Sequence, residues 1–249
     1  MTTRWLFSSF AVVLLAGLML GCGSSTNSQQ TPPPLRVAFV QTASSTVTPT
    51  GNGEDFTTTF SSPVTKGNTV VMVFWWMHDR SLTNPITGVT DSEGNTYQLA
   101  LIVSAGINSS TAADILYYYA PNAKGGTADA VTIGTAAAAQ TTQVSMVILE
   151  YSGISSVDAV NTTSNLSGST ISTGMATTTA APEVVLGSLL ITWSTPIGAG
   201  TGYNPRFSST YFVVEDEIAG TAGSYDAVFS MPPPYPQYLI AIPSMVTFR

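Results

Sequence analysis

The sequence predicts an all-β protein, a single antiparallel β-sandwich of the jelly-roll-like kind with almost no helix beyond its N-terminal apolar segment. Short runs of apolar, β-branched and aromatic residues alternate with segments rich in Gly, Asn, Asp and Pro, as in sandwiches and jelly rolls. The run VVMVFWW at 70–76 is apolar throughout, which is typical of a strand buried on both faces. No window keeps the 3.6-residue period of an amphipathic helix.

The N-terminal segment has the layout of a secretory signal. Arg4 supplies a positive charge, residues 5–20 are apolar apart from two serines, and small residues follow. A membrane-spanning helix needs roughly 20 apolar residues, so this run is too short to span. We expect residues 1–21 to be removed as a signal peptide.

The stretch MLGC at 19–22 resembles the lipobox of bacterial lipoproteins, although leucine is commoner than Met19 at its position. The resemblance implies that Cys22 carries acyl chains and becomes the first residue of the mature protein. Cys22 is the only cysteine in the chain, so it has no disulfide partner. The alternative is a plain signal peptide that contains a cysteine. Gly23 follows where an aspartate would signal inner-membrane retention in many lipoproteins, so an outer-membrane or cell-surface location is favoured.

Composition divides the mature chain into a linker and one domain. Residues 22–34 comprise the lipidated cysteine and a flexible Ser/Pro linker, and residues 35–249 form the sandwich domain. Charged residues are 8% of the chain and its net charge is -7. Such a chain offers no basic track for phosphates, so we expect no nucleic-acid partner. The expected membrane contact is through the acyl chains on Cys22.

Ten segments carry the strand pattern and are separated by turn-forming residues. They are 35–40, 70–76, 97–103, 115–119, 130–133, 144–151, 184–193, 211–215, 225–229 and 238–248. Pro243 falls within the last segment. Since proline has no backbone N–H, we predict that this part of the strand lies at a sheet edge or a bulge.

Four stretches resemble a module of secreted bacterial proteins. They are FSSPVTKGNTVV at 60–71, VTDSEGNTYQLA at 89–100, YYAPNAKGG at 118–126 and ILEYSGI at 148–154. The resemblance covers about 56–249 and implies a jelly-roll-like β-sandwich on an extracellular or surface protein. Because the matching stretches are strand and turn patterns, the resemblance implies no catalytic residue.

The densest aromatic and polar cluster is WWMHDR at 75–80. Trp75 and Trp76 are neighbours in a strand and point to opposite faces. One of these rings, beside His78 and Asp79, is a candidate surface for stacking a sugar ring and binding its hydroxyl groups. The alternative is that both rings pack in the core and the polar residues form a solvated loop.

The proline-rich stretch MPPPYPQY at 231–238 displays two further aromatic residues, Tyr235 and Tyr238. Polyproline is stiff, so these tyrosines are candidate ligand-binding residues on a rigid loop. The alternative is a braced connection between strands.

Nucleophile and metal chemistry find little support. His78 is the only histidine, and no Gly-x-Ser-x-Gly motif accompanies it. A zinc ion would also lack ligands, because the chain has one histidine and its one cysteine is expected to be acylated. The remaining enzymatic alternative is a polysaccharide hydrolase that uses a carboxylate pair from Glu150 and the acids at 215–217. Because successive side chains of a strand point to opposite faces, we expect Glu215 and Glu217 on one face and Asp216 on the other.

The stretch DSEGNTY at 91–97 begins like a calcium loop, with oxygen ligands at positions one, three and five. Its glycine comes at position four instead of six, and position twelve is Ile102. A tight hairpin turn with positive φ at Gly94-Asn95 explains it more simply. We therefore expect no metal or other cofactor.

These observations predict a lipid-anchored, non-enzymatic surface or periplasmic protein that binds carbohydrate or another surface. Two alternatives remain at this point. One is the hydrolase with a carboxylate pair, and the other is a purely structural spacer.

Overall fold

The computed structural model describes residues 36–49, 53–82, 86–127, 129–135, 144–163, 165–167, 169–233 and 240–249. The regular elements within these ranges are all β-strands, which confirms the predicted all-β class. No helix in the described ranges is long and apolar enough to cross a membrane. Residues 1–35, with Cys22, lie outside the described ranges, as do Tyr235 and Tyr238.

In chain order the strands are β1 (Ala38–Val47), β2 (Asp55–Thr59), β3 (Thr69–Asp79), β4 (Ile86–Asp91), β5 (Gln98–Gly106), β6 (Thr111–Ala120), β7 (Ala130–Thr135), β8 (Val144–Ser152), β9 (Val157–Asn161), β10 (Asn165–Ser167), β11 (Thr170–Ser172), β12 (Ala176–Thr177), β13 (Glu183–Ile191), β14 (Asn204–Ser208), β15 (Phe212–Ala219), β16 (Ser224–Tyr225), β17 (Val228–Ser230) and β18 (Ala241–Phe248).

Two five-stranded antiparallel sheets form the centre of the domain. The first has the order β1-β8-β3-β6-β5, and the second has the order β14-β15-β13-β18-β9. Their facing sides share one apolar core, in which the rings of Trp75 and Phe212 lie 6.1 Å apart and those of Tyr119 and Phe248 lie 5.6 Å apart. This pair of sheets confirms the predicted antiparallel sandwich.

Each central sheet is also backed by small sheets on its outer side. The sheet β2-β7-β4 packs Phe56 and Ile133 against the first central sheet. The sheets β10-β11-β17 and β12-β16 back the second, with Phe229 among the packing residues. The domain therefore has two outer layers that the sequence pattern did not predict.

The two halves of the chain wind in the same way. The first half gives the order β1-β8-β3-β6-β5 over β2-β7-β4. The central sheet of the second half has the equivalent order, β9-β18-β13-β15-β14. Its outer sheet, which corresponds to β2-β7-β4, consists of β11 and β17 together with the bridge between Gly198 and Ser230. Each half is therefore jelly-roll-like, with β5 hydrogen-bonded to β6 in the first half and β14 hydrogen-bonded to β15 in the second.

The central position of β3 explains its composition. Residues 69–76 are buried without interruption, because alternate side chains enter the central core and the core under the outer sheet. A strand covered on both sides has no solvent face for polar residues, so its sequence is apolar at successive positions.

Pro243 lies in a part of β18 that has one neighbour. β18 pairs with β13 along its whole length, and Pro243 is opposite Leu189 there. Pairing with β9 begins only at Met245. The prediction that Pro243 lies at a local edge is confirmed, since no described strand accepts a hydrogen bond on that side.

Candidate functional site

A cleft of about 750 Å³ opens where the first central sheet is wider than the sheet that backs it. β5 is bonded to β6 in the five-stranded sheet, so the outer sheet ends at β4 and leaves the adjoining part of β5 and β6 uncovered. Leu99, Ile102 and Leu116 give this β5–β6 cleft apolar walls, and His78 and Asp114 give it a polar region. Its volume is in the range of small-molecule pockets, about 300–1,000 Å³.

His78 and Asp114 form a buried pair on neighbouring strands. Nε2 of His78 lies 2.9 Å from Oδ2 of Asp114, within hydrogen-bond distance, and Nδ1 donates to the backbone oxygen of Asp79 at 2.8 Å. A carbonyl oxygen only accepts, so Nδ1 carries a hydrogen. The side chains are 5% and 3% exposed. The pair is held together because β3 and β6 align Trp76 with Asp114 and His78 with Ala112.

The second carboxylate oxygen of Asp114 makes no hydrogen bond to any residue that the structure describes. Oδ1 is buried, and no described group lies within hydrogen-bond distance of it, although Asp114 lines the cleft. A buried polar atom without a hydrogen bond costs about 1–3 kcal/mol. The atom is therefore a strong acceptor that a ligand with a hydroxyl or N–H donor would satisfy.

The imidazole is fixed from one side by an aromatic ring. The rings of Trp76 and His78 are stacked with centroids 4.9 Å apart and planes 28° apart. Trp76 also packs against Phe74 in the core beneath the outer sheet. Stacking and two hydrogen bonds leave His78 one orientation, and His78 in turn positions Asp114.

Arg80 supplies a positive charge at the cleft. Its Nη1 donates to the backbone oxygen of Asn108 at 3.3 Å, and its guanidinium lies over Gly106, where a Cβ would clash with it. Asp79 turns away toward Ser81, from which Oδ1 accepts a backbone hydrogen bond at 2.8 Å and a hydroxyl hydrogen bond at 2.9 Å. These bonds lower the pKa of the Asp79 carboxyl.

The structure corrects the predicted role of both tryptophans. Trp75 is 2% exposed and packs between the central sheets, whereas Trp76 is fully buried on the other face of β3. Their opposite orientation was predicted, but a covering layer lies on each side. Neither ring offers a face to a sugar. Asp79 is exposed and His78 lines the cleft.

Glu150 does not belong to a carboxylate pair. It is fully buried, and its oxygens accept hydrogen bonds from the Thr65 backbone at 2.8 Å, the Asn68 amide at 2.5 Å and the Gln41 amide at 2.6 Å. These three bonds hold the 65–68 turn against β8. Glu150 therefore has a structural role in the described part of the domain.

The acids at 215–217 also point apart, as alternation predicts. Asp216 lies between the central sheets with Tyr151 and Arg206, whereas Glu215 lies in the core on the other side of β15 and accepts a hydrogen bond from Gly200 N at 2.7 Å. Burial raises the pKa of Glu215 to about 8. None of these acids lines the β5–β6 cleft.

The turn at 91–97 closes on its own side chains. Asp91 accepts hydrogen bonds from the Asn95 backbone at 2.8 Å, the Asn95 amide at 2.7 Å and the Tyr97 hydroxyl at 3.0 Å. Gly94 has φ +70° as predicted, whereas Asn95 is not among the described residues with positive φ, so that part of the prediction is wrong. The predicted hairpin is wrong, because β4 pairs with β7 and β5 pairs with β6. No three His, Cys, Asp or Glu side chains among the described residues are grouped to hold a metal ion.

Sequence reasoning missed Asp114 and the apolar walls of the cleft. Asp114 is one acid in the otherwise apolar run TAADILYYYA of β6. A charged residue in a strand with buried neighbours is rarely unpaired, and that signal could have directed attention to it. No protein-family model, no curated protein and no solved structure matches this chain.

Proposed function

We propose that this protein is a lipid-anchored, non-enzymatic binding module outside the cytoplasm, and that the β5–β6 cleft binds a carbohydrate. The observation that carries the ligand class is Asp114, a residue of the cleft lining whose buried Oδ1 makes no hydrogen bond to any described group. Sugar hydroxyl groups are donors of the kind this atom needs.

The walls of the cleft suit the rest of a sugar. The side chains of Leu99 and Ile102 are 50% and 47% exposed, and the ring of Tyr118 also lines the cleft. These apolar surfaces can cover the C–H faces of a sugar ring. Arg80 adds hydrogen-bond donors beside the acceptor of Asp114. A carbohydrate presents this mixture of C–H faces and hydroxyl groups within one small molecule.

Two features of the cleft favour binding over hydrolysis. Both ring nitrogens of His78 are engaged, by Asp79 and Asp114, so neither is free to take a proton from a nucleophile such as Ser104. Asp114 is also the single carboxylate among the described lining residues. Hydrolysis of a glycosidic bond by the usual route needs two carboxyl groups.

Binding can be tested with the full-length protein in detergent on an array of soluble glycans. We expect Ile102→Arg, which places a charge on the cleft wall, to weaken binding about tenfold or more. Asp114→Asn should also weaken binding, because the amide replaces one of the two acceptor oxygens of Asp114 with an N–H donor. Val40→Arg is the matched control, since Val40 is 43% exposed on β1, at the opposite edge of the same sheet.

Two results would contradict the proposed ligand. One is the absence of glycan binding by the wild-type protein. The other is equal binding by wild type and Ile102→Arg. The first result would favour a structural spacer, and the second would place the ligand at another surface.

The lipid anchor has its own test. In cells labelled with palmitate, we expect the wild-type protein to take up label and to fractionate with membranes. Cys22→Ala should lose both properties, because the thiol that accepts the lipid is absent. A labelled, membrane-bound alanine variant would show that Cys22 is not the lipid attachment site.

A further inference from the structure

One tryptophan outside the cleft is held at the surface. Trp193 is 54% exposed, whereas Trp75 and Trp76 are buried. Trp193 follows β13, the central strand of the second sheet. A large aromatic side chain kept in water loses the stabilisation that burial would give it, which makes Trp193 a candidate ligand-binding residue.

The backbone on both sides of Trp193 is fixed by hydrogen bonds. Ile191 N donates to Tyr211 O at 2.9 Å, Thr192 N donates to Ile240 O at 3.1 Å, and Thr195 N donates to Thr210 O at 3.3 Å. The segment is therefore tied to the 209–211 turn and to the start of β18. An indole on such a braced backbone has less freedom to lose when it binds a ligand.

The two described segments next to Trp193 in the fold are rich in hydroxyl groups and uncharged. The segment 192–198 is TWSTPIG and the facing segment 207–211 is FSSTY, neither of which contains a charged residue. Ser194 and Thr210 are exposed there. Aromatic faces that contact C–H groups, beside hydroxyl groups that form hydrogen bonds, suit a neutral sugar better than a charged ligand.

Trp193 also lies at a defined end of the sandwich. Two ring contacts show that β3 and β13 run in the same direction. The contact of Tyr119 with Phe248 lies near the start of both strands. The contact of Trp75 with Phe212 lies near the end of both strands. Trp193 follows the end of β13, so it lies at the end of the sandwich where β3 finishes.

The described chain enters at the other end. The backbone oxygen of Arg36 accepts a hydrogen bond from Ser152 at 2.7 Å, next to the pairing of Tyr151 with Thr69 at the start of β3. β3 has 11 residues, and at about 3.3 Å per residue the two ends are roughly 30 Å apart.

We propose that Trp193 is the stacking platform of a second carbohydrate-binding site, at the end of the sandwich opposite to Arg36, for the ring of a neutral polysaccharide. The site uses none of the residues of the β5–β6 cleft. The site does not depend on the proposed lipid anchor.

Tryptophan fluorescence tests this proposal in the full-length protein. We would measure quenching by acrylamide in wild type and in Trp193→Phe, with and without a neutral soluble β-glucan and a neutral mannan. The difference between the two proteins reports Trp193 alone. We expect at least one glycan to protect Trp193 from the quencher. Affinity electrophoresis in the same glycan should show about tenfold weaker binding for Trp193→Ala and a smaller loss for Trp193→Phe.

Controls separate this site from the cleft. Ile102→Arg should leave the protection of Trp193 unchanged, because Ile102 lies in the cleft on the first sheet. If Ile102→Arg abolished protection, the cleft would be the sole site and the present proposal would be overturned. Protection by neither glycan, or equal binding by wild type and Trp193→Ala, would overturn it as well. If glycan still protected Trp193 from the quencher while the cleft bound no glycan, only the proposal for the cleft would be wrong.

Discussion

Replacing Asp216 by alanine is expected to lower the free energy of unfolding by about 3–5 kcal/mol, the usual cost of removing one partner of a buried ion pair. Asp216 is fully buried. The guanidinium of Arg206 lies 2.8 Å from each of its carboxylate oxygens, and the Tyr151 hydroxyl donates to Oδ2 at 2.6 Å. The variant would leave the charge of Arg206 and the hydroxyl of Tyr151 without their acceptor.

The effect should be large because the network joins the two central sheets. Asp216 and Arg206 come from the second sheet, whereas Tyr151 and Phe39 come from the first. Phe39 lies 3.5 Å beneath the guanidinium carbon of Arg206, a cation–π contact. Urea unfolding of wild type and variant measures the change.

An ion pair whose arginine is half exposed provides the control for Asp216→Ala. Arg249 lies 3.3 Å from Asp158, and the side chain of Arg249 is 49% exposed whereas that of Asp158 is 4% exposed. Asp158 keeps two hydrogen bonds from Thr179 when the arginine is removed, and an exposed charge contributes little, so Arg249→Ala should have a smaller effect than Asp216→Ala. A loss below about 1 kcal/mol for Asp216→Ala would contradict the role of the buried network as a clamp between the sheets.

Glu215→Gln is expected to stabilise the protein at alkaline pH and to change little at acidic pH. Burial raises the pKa of Glu215 from its ordinary 4.5 to about 8. The folded protein therefore holds this proton more tightly than the unfolded chain does. The contribution of Glu215 to stability is full below about pH 4.5, falls as the pH rises, and is lost above about pH 8.

Glutamine keeps the size of the side chain and an acceptor for Gly200 N, but it cannot ionise. At pH 8.5 we expect the variant to be more stable than wild type by up to about 4–5 kcal/mol, since the pKa is raised from 4.5 to about 8 and each pH unit of that difference corresponds to about 1.4 kcal/mol. At pH 4.5 the two should be nearly equal. Denaturant unfolding across this pH range gives the difference.

Glu217→Gln is the matched control, on the same strand and the same face. The side chain of Glu217 is only half-buried, so its charged form keeps part of its hydration and the pH-dependent difference should be smaller. A Glu215→Gln variant that is no more stable than wild type at pH 8.5 would mean that Glu215 is already ionised in the folded protein at that pH.

These acids illustrate what a strand pattern can and cannot predict. Alternation alone predicts that Asp216 points away from Glu215 and Glu217, because successive side chains leave a strand on opposite faces. It does not predict that Asp216 meets Arg206 and Tyr151, since Tyr151 is 65 residues away in the chain. Sequence reasoning therefore offered these acids as a catalytic pair, whereas the fold uses two of them inside its cores.

The candidate site shows the same division. The position of His78 at the end of an apolar strand singled it out, but its partner Asp114 is 36 residues away. The cleft exists because β5 bonds to β6 and leaves the outer sheet with three strands, and no local pattern specifies that choice. Trp75 and Trp76 were placed on opposite faces correctly. Their burial depends on layers contributed by distant segments.

The sequence by itself determined the strand-rich class, the apolar centre of β3, the local edge at Pro243 and the positive φ of Gly94, because each follows from local backbone and side-chain chemistry. Only the tertiary structure decided which faces are covered, which acids are paired, and where an open cleft and an exposed indole remain. Those features depend on pairing between strands far apart in the chain, and the free energy of that pairing is absent from any short window of sequence.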